Sequence, residues 1–145
     1  MKKFIFNLEK ILQIRKFKEE ECKLALGHAV SALNKIENEI KITALMKNKA
    51  ATERFRNPEE TQSWDIYILR LEQEAEKLAE EAAKAELVVE EKRAIYLEAL
   101  KDLRAMEKLK EKQQKEYRKE MFDTQMDEVD ELTVTRKMIL NEKVN

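Results

Sequence analysis

The sequence predicts an all-α protein: two long helices folded into an antiparallel coiled-coil hairpin, the second helix longer and overhanging at its C-terminal end. Three observations point there. The 145 residues include one glycine, one proline and 41% charged side chains, a composition unsuited to a compact core and suited to an elongated one. Two runs of apolar residues advance in alternating steps of four and three, which is the seam of a left-handed coiled coil. The only strong punctuation, Arg56-Asn57-Pro58-Glu59-Glu60, lies between them. The expectation is one coiled-coil domain over 1–145, with a first helix at about 7–55, a turn at about 56–58 and a second helix at about 58–141.

At the start, Phe4 and Phe6 alternate with other residues, and Asn7 suits the cap of a helix beginning at Leu8. The first seam then reads Ile5, Leu8, Leu12, Arg15, Glu19, Cys22, Leu26, Ala29, Leu33, Ile36, Ile40 and Thr43, nine of twelve apolar, and it fades toward Phe55. Gly27 lies off the seam, where it costs roughly 1 kcal/mol relative to Ala without breaking the helix.

At the punctuation, Pro58 suits the first position of a new helix, Asn57 its N-cap, and Glu60 the reciprocal position of a capping box. Arg54 and Arg56 suit the C-terminal end of the preceding helix. A connection this short makes the two helices antiparallel neighbours. The second seam reads Trp64, Ile68, Leu71, Ala75, Leu78, Ala82, Ala85, Val89, Lys92, Tyr96, Ala99, Leu103 and Met106, with Lys92 its only non-apolar member.

Facing the seams about a turn near Phe55 and Arg56 sets large residues against small ones. Leu12 then faces Ala99, Leu26 faces Ala85 and Ile36 faces Ala75, as close packing requires, while Leu33 faces Leu78 and Ile40 faces Leu71. The same register sets Glu19 opposite Lys92, a pair that would fix register more than add stability. Beyond Met106 the continued positions are Lys110, Gln113, Glu120 and Asp127, yet helix formers run on to about Leu140. About 35 residues of helix, roughly 50 Å, are therefore expected to overhang. So polar a helix is marginal alone, and Tyr117, Met121, Phe122, Met126, Val129 and Leu132 are available to a partner.

Other functions find little support. The 29 basic and 30 acidic residues are interleaved, as between Arg104 and Arg118, which argues against a nucleic-acid surface. One histidine, His28, and one cysteine, Cys22, stand far from any ligand or catalytic spacing, and no phosphate-binding loop is present, so neither an enzyme nor a cofactor is expected. Cys22 reads as a seam residue and His28 as incidental. No window approaches a membrane span, and the apolar run at Phe4 to Phe6 is too short for a signal peptide, which points to the cytosol. Trp64 reads either as a staple for the second helix's first turn or as a contact at the hairpin tip.

The string Phe4-Ile5-Phe6-Asn7-Leu8-Glu9-Lys10-Ile11-Leu12-Gln13-Ile14-Arg15, followed by Glu19 and Glu20, resembles the opening of the FliJ family of bacterial flagellar export proteins. That family begins with two phenylalanines flanking one residue, then Leu, a basic residue, an aliphatic-Leu pair and Arg. Asp127-Glu128, preceded by Lys119 and Glu120, is a second point of resemblance. The resemblance implies a coiled-coil stalk, cytoplasmic and peripheral at the inner face of the cell membrane, that supports flagellum assembly and motility. Its implied partners are the hexameric export ATPase, the export gate and export chaperones. Phe4, Phe6, Leu8, Arg15, Tyr117, Phe122, Asp127 and Glu128 would face the ATPase, and Phe55 and Trp64 the gate. The free chain would be a monomer. The alternatives are a passive structural coiled coil, which would be a stable dimer, and the stalk of a virulence secretion system or a rotary ATPase.

Overall fold

In a computed structural model that describes residues 3–144, the chain forms α1 (Glu9–Arg56), a short 3-10 turn (Pro58–Glu60) and α2 (Thr61–Val144). Met1, Lys2 and Asn145, the ends of the expected domain, lie outside the described residues. The two helices pack against each other and no strand occurs among the described residues, as the heptads predict. Helix ends differ from expectation by one to three residues, the ordinary latitude of a helix terminus.

Two compact units divide the chain, one made by the chain up to Arg15 and from Lys101 onward, the other by Lys16–Leu100. In the second unit the expected seam positions of both helices are buried or half-buried, with Leu71, Leu78, Val89, Ala99 and Thr43 the most enclosed. The first seam does not fade toward Phe55. It continues through half-buried Lys47, buried Ala50 and half-buried Arg54, with polar stems taking over from aliphatic residues.

The cross-helix contacts fall four to eight positions further along α2 than the expected register sets them. Glu19 accepts a hydrogen bond from Tyr96 Oη at 3.2 Å, and no ion pair joins it to Lys92 among the described residues. Lys47 Nζ pairs with Glu72 at 3.2 Å and Arg54 Nε with Asp65 at 2.7 Å, each some seven or eight positions further along α2 than the sequence register allows. The cause is the turn. A fold-back at Phe55 and Arg56 would fall inside the last turn of α1, whereas the chain must cross a helix-to-helix gap of about 8–10 Å, which it does through Asn57 and Pro58–Glu60.

The capping box expected at Asn57 and Glu60 is also absent. Asn57 makes no side-chain cap and instead reaches back to α1, its amide N–H donating to Glu53 O at 3.0 Å, while Glu60 N–H donates to Asn57 O at 3.1 Å. Pro58 opens this 3-10 turn, and Thr61 Oγ1 closes it on Pro58 O at 2.7 Å. Asn57 therefore closes α1 and stands at the N-cap position of the 3-10 turn through its carbonyl, without a side-chain cap.

Gly27 sits in open space, since a methyl added there meets nothing within 4 Å. Gly27→Ala is expected to stabilise the chain by about 0.5–1 kcal/mol, because only backbone entropy changes. Chemical denaturation would measure it.

Candidate functional site

The leading chain before α1 builds the core of the first unit. Residues 3–6 are not helical, so side chains alternate: Phe6 is 5% exposed and Ile5 76%. Ile5, expected in the helical seam, therefore points to solvent and Phe6 takes its place. Phe6 packs with Leu12, Leu103 and Met106, and Phe4, Leu8 and Leu109 close over that cluster. Leu12, expected against Ala99, thus shares a cluster with Leu103 and Met106, four and seven positions further along, so the contacts of the first unit are displaced in the same direction. Phe4 reaches Tyr117, ring centroids 5.5 Å apart and tilted by 50°.

Two polar contacts fasten the first turns of α1 behind this leading strap. Glu9 pairs with Lys110 Nζ at 2.9 Å, and Arg15 Nη1 donates to Asp102 O at 3.0 Å, both bridging α1 and α2. Because an extended chain rises by about 3.3 Å per residue against 1.5 Å in a helix, the strap covers more of α2 than a helical turn would. Packing therefore extends past Met106, where it was expected to end, to half-buried Leu109, Gln113, Tyr117 and Met121. The overhang begins at Phe122.

From Phe122 to Lys143 every residue is exposed. Eight are large and apolar, from Phe122 (60%) and Val129 (54%) to Leu132 (70%) and Leu140 (57%). Asp127 and Glu128 lie on this stretch, in water. Of the residues expected to serve one partner, Phe4, Phe6, Leu8, Arg15 and Tyr117 are thus brought together and engaged with one another or with α2, while Phe122, Asp127 and Glu128 are presented outward. Phe6 and Leu8 are spent on the chain's own packing.

At the turn, in the second unit, Phe55 is 82% exposed. Trp64 is half-buried in a groove lined by Met46, Lys49, Ala50, Glu53 and Tyr67, its ring edge-on to Tyr67 at 6.0 Å. Its Nε1 is enclosed and meets no acceptor. Trp64 thus packs on the first turns of α2 and keeps an enclosed donor that no acceptor satisfies. Trp64→Phe is expected to change stability by less than about 1 kcal/mol, and Trp64→Ala to cost about 2–3 kcal/mol, as a half-buried large-to-small change. Thermal melts of both variants decide it.

Sequence reasoning missed the Glu9–Lys110, Lys47–Glu72 and Arg54–Asp65 pairs, although each lies on or beside a seam position and opposite charges there were the available signal. Among the described residues no group of three or more His, Cys, Asp or Glu is placed to hold a metal, Cys22 is a free, half-buried thiol, His28 is exposed, and no helix is long and apolar enough to cross a membrane. The family model described as flagellar FliJ protein matches residues 4–138. No curated protein and no solved structure shows a significant match to the chain.

Proposed function

The chain belongs to the FliJ family, and from that premise we propose that it is the coiled-coil stalk of the flagellar export ATPase, acting by contact and without chemistry of its own. Membership makes it a component of the flagellar export apparatus. The finer reading rests chiefly on one observation: a continuous helical end, from Phe122 to Lys143, that the rest of the chain leaves uncovered although it bears eight large apolar side chains. Such a surface is costly in water and is relieved by a partner. Phe122, Asp127 and Glu128 contact the ATPase ring, and Phe4, Phe6, Leu8, Arg15 and Tyr117 brace the helix that presents them. Phe55, exposed at the turn, and Trp64 beside it are assigned to the export gate, and export chaperones bind the assembled complex. The chain works in the cytoplasm, at the inner face of the cell membrane.

The mechanism is a bias on the ring. An asymmetric helix pair inside a symmetric hexamer touches its subunits unequally, so it favours some interface states over others and promotes assembly or ordered hydrolysis. Titrating the chain into purified export ATPase should raise ATP turnover to a plateau. An unchanged rate at saturation, with no co-sedimentation, would dismiss the reading.

A further inference from the structure

The exposed end of α2 is divided by charge along its length. From Glu120 to Glu131 every charged residue is acidic: Glu120, Asp123, Asp127, Glu128, Asp130 and Glu131. From Arg136 to Lys143 the balance reverses, with Arg136, Lys137 and Lys143 against Glu142 alone. A mainly apolar track joins the two blocks. Phe122, Met126, Val129, Thr133, Arg136 and Leu140 advance in steps of four and three, on the side of α2 away from the seam that packs on α1. Midway along it Val129, Leu132, Thr133, Arg136 and Ile139 line a shallow groove.

We propose that two copies of this chain associate through these ends, antiparallel, about a two-fold axis at Glu131, beside Leu132. The track is complementary to itself in that direction. Phe122 meets Leu140 of the second copy, Val129 meets Thr133, and Met126 lies along the aliphatic stem of Arg136, with Leu132 one position from the axis and so close to its own equivalent. Asp123 and Asp130 then flank Lys137 of the second copy. A parallel arrangement would stack acidic block on acidic block, so the charge division selects the antiparallel one. An interface of about three heptads is small, and association is expected with a Kd on the order of 10–100 µM. The free chain is then monomeric only at low concentration. A paired end is covered and unable to engage a ring; that consequence rests on the stalk reading, whereas the pairing does not.

Sedimentation equilibrium on the full chain tests the pairing directly. The mean mass should rise toward twice the chain mass as concentration goes from about 10 µM to 1 mM. Lys137→Glu should hold it at the single-chain value, and adding Asp123→Lys and Asp130→Lys should restore the rise. In a Cys22→Ser background, Leu132→Cys should form a disulfide dimer under mild oxidation at least ten times faster than Phe55→Cys, since both positions are exposed but only one lies beside the axis. A constant single-chain mass, or equal cross-linking at both positions, overturns the proposal and leaves the face to a different chain. Failure to stimulate the ATPase would overturn the stalk reading and leave these masses unchanged.

Discussion

A chain ended after Met121 is expected to remain folded and to lose at least tenfold of its stimulation of the export ATPase. The structural half of this outcome follows from burial. Among the described side chains Met121 is the last half-buried one of α2, and Phe122 to Lys143 are all exposed, so removing them takes little from the core. Such surface deletions shift stability by about 0.5 kcal/mol or less. The functional half follows from the same exposure, because those residues hold the apolar surface the chain does not use itself. A tenfold loss corresponds to about 1.4 kcal/mol of coupling, modest for a multi-residue contact. Circular dichroism should show a cooperative melt at nearly the same temperature in both chains. Equal stimulation by both would transfer the ring contact elsewhere on the molecule.

Leu12→Ala and Phe6→Ala are expected to cost the most stability of any single substitutions in the first unit, about 2–4 kcal/mol each. Leu12 is 2% exposed and Phe6 5%, and both lie in one cluster with Leu103 and Met106. The lower part of the usual range applies, because a strap can move in to close part of the cavity. The loss should be local. Hydrogen exchange of amides from Lys101 to Met121 should quicken by at least tenfold while those of Lys16–Leu100 change little, since the substituted residues belong to the first of two compact units. Protection lost evenly along both helices would show instead that the hairpin opens as one body. Ile5→Ala is the matched control, for its side chain is 76% exposed and its removal should be nearly silent.

Much of this molecule was legible before any coordinates. Every expected seam residue of α2, from Trp64 through Met106, is buried or half-buried, and so are eleven of the twelve named for α1, Ile5 being the exception. The extended ends of the two seams, at Lys47 and Arg54 and at Lys110, were harder to read because long polar side chains occupy core-facing positions there by their stems. Phe6 and Ile5 exchanged roles for a different reason. Residues 3–6 follow a period of two, and a helical rhythm continued backward into them selects the wrong face. Among the site residues the resemblance could name Phe4, Phe6 and Tyr117, but not that their side chains face inward on one another's support while Phe122, Asp127 and Glu128 face out.

Periodicity determined that there are two helices and which stripe of each is covered, because a four-three rhythm is a property of one chain segment and its rotation about its own axis. Which heptad meets which was decided only in three dimensions. A seam that repeats every seven residues is nearly as apolar after a slide of seven, so Leu12 against Ala99 and Leu12 against Met106 look alike on paper. The choice was made by what does not repeat: the space the Asn57–Glu60 turn needs, the Arg54–Asp65 and Glu9–Lys110 pairs, and the strap that carries Phe4 to Tyr117.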